Sequence, residues 1–170
     1  MKFIADAMIG KISRWLRILG HDVKYLRTAE DRALIKRASD EKRILLTKDK
    51  ELYKKSVAAG IEAYLVEGRT RIEVLAGLAT HFDFLLELNM DNSRCPKCNG
   101  VVKAVSKREV ANNLNTSTYS YYDLFWKCLA CGQIYWKGPH WKRIKETLAN
   151  ATLQKNLVRR SGYIHLKSGA

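Results

Sequence analysis

The sequence predicts a mixed α/β protein: an open, mostly parallel sheet with helices on both faces, followed by a small four-cysteine module. Three observations carry this. Short apolar runs alternate with amphipathic helical stretches through the first 90 residues, the pattern of successive β-α units. After Asn89 that periodic signal gives way to cysteines, aromatics and cations. The 4 cysteines of the 170-residue chain form two Cys-x-x-Cys pairs, Cys95/Cys98 and Cys128/Cys131.

Lys2-Phe3-Ile4-Ala5 reads as a short buried strand. From Ala7 to Leu19, Ile9, Ile12, Leu16 and Leu19 recur at the spacing of one helix face, with Lys11, Arg14 and Arg17 on the other. Gly20 supplies a left-handed stop, and His21-Asp22 turns the chain into a second strand, Val23 to Leu26. A helix from about Ala29 to Lys42 turns Leu34, Ile35 and Ala38 inward. Ile44 to Thr47 is the most apolar strand and is expected at the sheet centre. Glu51 to Ala59 makes the next helix, ending at Gly60, and Ala63 to Val66 the fourth strand. Arg71 to Phe82 is an amphipathic helix carrying Ile72, Leu75, Leu78, Ala79 and Phe82. Leu85 to Leu88 is expected as a short edge strand and Met90 to Ser93 as a linker. The expected domains are therefore 1–90 for the α/β unit and 91–148 for the cysteine module, with 112–118 a loop. The remainder, 149–170, has little pattern and reads as a partly disordered tail.

Lys and Arg number 31 against 17 Asp and Glu, a net charge of +14, so a polyanion is the natural partner and nucleic acid ranks above membrane. The excess is lopsided: residues 1–90 carry 17 basic and 13 acidic side chains, residues 91–170 carry 14 and 4. No signal-peptide core and no spanning apolar stretch occurs, which points to a cytoplasmic protein. In a reducing compartment four thiols serve metal ligation better than disulfides.

Parallel strands point their C-terminal ends the same way, and open α/β sheets bind ligands in the crevice outside those ends. Asp6 directly follows the first strand, Asp31 opens the helix after the second, and Asp49 follows the third by two residues. Loops from three neighbouring strands can bring these carboxylates together. Such a cluster repels itself unless a divalent cation with a taste for oxygen, Mg²⁺ or Mn²⁺, joins it. One or two such ions can activate water and stabilise a leaving oxygen in phosphodiester cleavage, with no Ser or Cys nucleophile. Each acid alone also suits a helix N-terminus, and for Asp31 capping stands level with ligation. Lys11 and Arg14, one turn apart behind Asp6, can meet a phosphate next to the scissile one, and Lys48 joins them as a candidate contact. The alternative for these cations is a solvated helix face.

Each cysteine pair is followed by a glycine, Gly100 or Gly132, that can take the tight turn of a metal knuckle. Two knuckles closing on one ion make a tetrahedral Cys₄ zinc site of structural type, and metal binding supplies stability that a module this small lacks. The 29 residues between the pairs exceed the usual spacing, so a hairpin must occupy 101–127. A thioredoxin-like redox role would need one pair opening a helix after a strand, and neither does so. Between Tyr119 and Trp141 lie half of the chain's aromatics, with Lys127, Lys137, Lys142 and Arg143 among them. Stacking faces beside cations suit RNA with single-stranded segments. About half of these rings, Phe125 included, are expected to be core. Trp136, Lys137, His140 and Trp141 are the candidate substrate contacts beyond the last knuckle.

The opening Lys2-Phe-Ile-Ala-Asp-Ala-Met-Ile-Gly-Lys-Ile-Ser-Arg-Trp-Leu-Arg-Ile-Leu-Gly20, the stretch Asp31 to Ala38 and Arg43-Ile-Leu-Leu-Thr-Lys-Asp49 closely resemble the PIN-like nuclease domain of the Mut-seven C-terminal RNase family. The resemblance continues through the cysteines to Gly132-Gln-Ile-Tyr-Trp-Lys-Gly-Pro-His-Trp141. It implies a PIN-like metal-dependent ribonuclease in which Asp6, Asp31 and Asp49 hold the ions, with a zinc ribbon gripping RNA. PIN-like domains usually offer a fourth acid, for which Glu30 and Glu51 are the candidates here. Expected partners are RNA, with a tRNA or the ribosome among the candidates, and products carrying 5′ phosphate. Two alternatives stand beside this reading: a non-catalytic RNA- or ribosome-binding adaptor, and a toxin-type nuclease held by an inhibitor.

Overall fold

The structure is a computed structural model that describes residues 1–167, with side chains described through Arg159. Four strands form the first sheet: β1 (Lys2–Ala5), β2 (Asp22–Tyr25), β3 (Ile44–Thr47) and β4 (Ala63–Leu65). All pairings are parallel and the order is β2-β1-β3-β4. Between and after them run α1 (Gly10–Ile18), α2 (Asp31–Asp40), α3 (Lys50–Ala58) and α4 (Arg71–His81). Strand alternation sorts the side chains to two faces. Phe3, Ala5 and Leu46 join Leu16 of α1 and Leu75 and Leu78 of α4 on one face, while Ile4 and Leu45 meet Leu34 and Ala38 of α2 and Leu52 of α3 on the other. The α/β class is as the sequence predicts.

Local chemistry sets the element ends. Gly20 takes φ +92° after α1, a left-handed conformation that costs a side chain dearly. Thr70 and Glu73 close a capping box on α4. Arg43, 7% exposed, grips the Asp22 carboxylate with both terminal nitrogens, at 3.0 and 3.2 Å, and also donates to the Phe3 carbonyl. It thereby locks the entrance of β3 to β1 and β2.

The second module is a three-stranded antiparallel sheet, β5-β6-β7, of β5 (Val102–Val105), β6 (Phe125–Cys128) and β7 (Ile134–Trp136). The connection from β5 to β6 holds two short helices, α5 (Lys107–Val110) and α6 (Thr116–Tyr121). The expected loop over 112–118 is thus partly helical, because Asn115 caps α6 by accepting from the Thr118 N–H at 2.8 Å. A long helix, α7 (Pro139–Lys167), then leaves the module and returns to the first sheet, where Leu148 and Ala151 enter the core shared with α4.

Three further expectations need correction. The stretch 149–167 is helical rather than a patternless tail, with 168–170 outside the described residues. Leu85 to Leu88 makes no strand; Phe84 and Leu86 are buried in the core cluster that holds Leu148 and Ala151, and Lys155 of α7 donates to the Phe84 carbonyl at 2.9 Å. Arg17 is not on a solvated face. It is 7% exposed, and its guanidinium donates to the Val23 carbonyl and to the Pro96 carbonyl at 3.1 Å, which ties the first sheet to the cysteine module. The linker is also docked, since the Ser93 hydroxyl donates to Ile18 O.

Candidate active site and metal centre

The strand order reverses between β1 and β3, and such a switch point is where an open sheet leaves a crevice at its C-terminal edge. Asp6 stands there at the end of β1, only 5% exposed. One carboxylate oxygen accepts from the Met8 N–H at 2.8 Å, capping a short 3₁₀ turn over Ala7–Ile9, and the other accepts from the Thr47 hydroxyl. Thr47, fully buried at the end of β3, in turn accepts from the Asp49 N–H at 2.9 Å. Asp49 caps α3 through the Glu51 and Leu52 amides at 2.7 and 3.1 Å. A single hydroxyl therefore joins Asp6 to the Asp49 backbone across the switch point. Gly10 leaves room for the Tyr25 ring, because a Cβ there would lie 2.6 Å from that ring, whose hydroxyl donates to Ala7 O at 3.3 Å.

Asp31 opens α2 on the neighbouring loop and pairs with Lys55 of α3 at 2.8 Å. The Asp31 hydrogen bond raises the Lys55 pKa, and the charges of Asp31, Asp49 and Glu51 add to it, so this ammonium sits among three acids. Of the fourth-acid candidates, Glu51 pairs with Lys54 at 2.9 Å and Glu30 is the residue before α2 with no capping bond from its side chain. The structure thus places Asp6, Asp31 and Asp49 after three adjacent strands. Among the described residues, however, the only group of three or more acidic, histidine or cysteine side chains whose ligand atoms all lie within 4.8 Å of one another is the cysteine cluster. The oxygen donors suit Mg²⁺ or Mn²⁺ in kind, but with Lys55 on Asp31 they do not close around one ion.

The cysteines do close. Cys95, Cys98, Cys128 and Cys131 present four sulfurs within 4.8 Å of one another, with Cys95 to Cys131 at 3.7 Å and Cys98 to Cys128 at 3.4 Å. A tetrahedral ion with metal–sulfur bonds near 2.3 Å requires sulfur separations of about 3.8 Å, so the cluster can hold a metal ion. Burial pushes the Cys95 thiol up, but the Tyr135 hydroxyl at 3.0 Å and nearby amides outweigh that and bring it down to about 7. Burial pushes Cys98 up to about 12. The knuckle is fastened to the first sheet: Asn99 accepts from the Val23 N–H at 2.9 Å and donates to Asp22 at 2.7 Å. Burial opposes ionisation of Asp22, yet Arg43 and Asn99 prevail and hold its pKa below the usual value.

The cation candidates separate into two places. Lys11, Arg14 and Lys48 line a cleft of about 1210 Å³ between the C-terminal strand ends and the knuckle, whose floor includes Ala7 and Met8 next to Asp6. Trp136, Lys137, His140 and Trp141 gather elsewhere, where β7 meets α7. Trp136 packs on the ribbon cluster of Val110, Phe125 and Ile134 and meets His140 edge-on, while Lys137 lies 5.6 Å from both the Trp126 and Trp141 rings. Phe125 is core, at 1% exposure. Sequence reasoning missed Arg27, Arg69, Arg71 and Lys97, which line the same cleft. Their signal was positional, since each follows a strand or sits inside the first knuckle.

No described helix is long and apolar enough to cross a membrane. Comparison with curated proteins and with solved structures returns no match. A scan against protein families matches residues 1–148 to the Mut7-C RNAse domain. That span takes in the whole first sheet, the cysteine cluster and the start of α7, and the chain therefore belongs to the Mut7-C RNAse domain family.

Proposed function

We propose that this protein is a Mg²⁺- or Mn²⁺-dependent ribonuclease of PIN-like type, cutting RNA at the edge that carries Asp6, Asp31 and Asp49, with a zinc ribbon holding the substrate. The observation that carries the reading is the buried Asp6 carboxylate, joined through Thr47 to Asp49 at the sheet's switch point beside a cation-lined cleft. A divalent ion bound at this edge supplies an activated water and neutralises the scissile phosphate. The chain's own groups do the rest. Thr47 and the Met8 amide fix the Asp6 oxygens, the α3 cap fixes Asp49, and Lys11 and Arg14 take the phosphate flanking the cut. Lys55 offsets the repulsion among the acids until substrate and ion arrive. The four cysteines hold one zinc, which is structural because all four positions are filled by protein. A tRNA or ribosomal RNA with single-stranded segments fits the reading.

The Lys55–Asp31 pair favours a second reading, a non-catalytic RNA-binding adaptor in which the acids are caps and ion-pair partners. Labelled structured and unstructured RNAs incubated with Mg²⁺, Mn²⁺ or no added divalent ion separate the two. We expect cleavage only with the ion, 5′ phosphate on the products, and a loss of about 100-fold or more in Asp6→Asn and Asp49→Asn with RNA binding retained. A parent protein that binds RNA and never cuts it establishes the adaptor.

A further inference from the structure

The cleft between the two modules is larger than the roughly 300–1,000 Å³ of pockets built for small molecules, at about 1210 Å³. Eight of its lining residues are Lys or Arg and none is Asp or Glu. None of the eight makes an ion pair among the described residues. Eight like charges that line one cleft with no acid among them bear the cost of mutual repulsion in one place. A polyanion removes that cost.

We infer that this cleft is the path of a single-stranded RNA segment, with Arg27, Arg69 and Arg71 gripping its phosphates from the sheet side and Lys97 from the knuckle side. The inference rests on the proposed ribonuclease reading and gives it a substrate track. Arg27 follows β2 and Arg69 follows β4, so these cations stand outside the strand ends, along the same edge as Asp6 and Asp49. Arg71 opens α4 and is steadied over the Trp15 ring at 5.0 Å. The opposing wall is rigid, because Arg17 holds Pro96 O and Asn99 is bonded to Val23 and Asp22, which fixes Lys97 between them. Cations on both walls suit one backbone passing between them. A duplex displays its phosphates around its outside, and recognition of its shape needs a broad face. The tryptophan face is a poor rival as the main grip: Trp126 is buried, Trp136 is partly buried in the ribbon core, and Lys137 already lies between Trp126 and Trp141.

The test is fluorescence anisotropy without added Mg²⁺ or Mn²⁺, using a labelled single strand of about 12 nucleotides and a hairpin duplex over a salt series. The exposed triple variant Arg27→Ala/Arg69→Ala/Lys97→Ala is compared with Lys36→Ala/Arg37→Ala/Lys107→Ala, which removes the same charge elsewhere. Each lost phosphate contact lowers the slope of log affinity against log salt by about 0.7 on single strands, so the cleft variant should lose about 2 in slope and at least about tenfold in affinity. The control should stay within about twofold of the parent. Equal losses in the two variants, no loss in the cleft variant, or tighter binding of the duplex overturns the inference. Lost binding in the cleft variant with no cleavage by the parent in Mn²⁺ leaves the track standing and removes the ribonuclease reading alone.

Discussion

Thr47→Val tests how the switch point is wired. Valine keeps the branched shape of a fully buried strand residue and removes the hydroxyl that serves Asp6 and the Asp49 amide. The Asp49 amide lies at a helix N-terminus where water can reach it, so its loss costs little. Asp6 is different: it is 5% exposed and loses one of the two donors that satisfy it. A hydrogen bond to a charged group contributes about 1.5–3 kcal/mol, and the added methyl returns about 0.8 kcal/mol by burial. The net destabilisation is about 1–2 kcal/mol, or about 2–8 °C in melting temperature for a chain of this size. RNA cleavage should fall with it, because Asp6 is no longer held toward the edge. Urea titration of parent, Thr47→Val and Thr47→Ser, paired with a cleavage assay, reads both effects, and serine should recover most of each. A valine variant as stable and as active as the parent would show that the hydroxyl bridge holds nothing.

His21 is 8% exposed between Phe3 and Phe84, with no partner for Nε2, and burial, assisted by the N-terminal charge, lowers its pKa from 6.5 to about 4. The unfolded chain takes up this proton first, so stability is complete above pH 6.5 and is lost as pH falls toward 4. The loss amounts to roughly 3 kcal/mol; His21→Leu should flatten urea midpoints measured from pH 7 to 4.5, and an unchanged pH slope would rule the histidine out. Zinc release by a thiol reagent, or Cys98→Ser, should unfold the ribbon around its small clusters of Cys95, Val102, Trp126 and Cys128 and of Val110, Phe125 and Ile134. A shift in tryptophan emission should accompany release of one zinc per chain, and retention of native emission after full release would count against a structural metal. Gly10→Ala should cost about 1–3 kcal/mol through collision with Tyr25, and Tyr25→Ala in the same chain should recover part of it; an additive double variant would deny the contact.

The first sheet was legible because its signals are local. The runs Lys2–Ala5, Ile44–Thr47 and Ala63–Leu65 are short and apolar and bounded by turns, as strands are, and Gly20 takes the positive φ that its place after α1 demands. What failed depended on partners distant in sequence. Leu85 to Leu88 alternates buried and exposed like an edge strand, yet the alternation reflects packing in the core beneath α7. The pattern in α7 was present, with Ile144, Leu148, Ala151 and Lys155 spaced along one face. The last of these is a lysine, buried because the Phe84 carbonyl receives it, and it hid the period. Arg17 misled for the same reason, being a cation on a predicted polar face whose partners, Pro96 O and Lys97 O, lie about 80 residues on. At the candidate site, the order of Asp6, Asp31 and Asp49 along the chain predicted a common edge. It could not reveal that Lys55 would stand on Asp31 or that Thr47 would bridge Asp6 and Asp49.

The proposed ribonuclease requires that Asp6, Asp31 and Asp49 take up a shared cation although Lys55 is paired with Asp31. Its most direct test is Mn²⁺ uptake, followed by the disappearance of the free-ion electron paramagnetic resonance signal on titration with the zinc-loaded protein. We expect at least one bound Mn²⁺ in the parent, tighter binding in Lys55→Ala, where Asp31 is freed, and none in Asp6→Asn. Uptake that is identical in the parent and Asp6→Asn would contradict it.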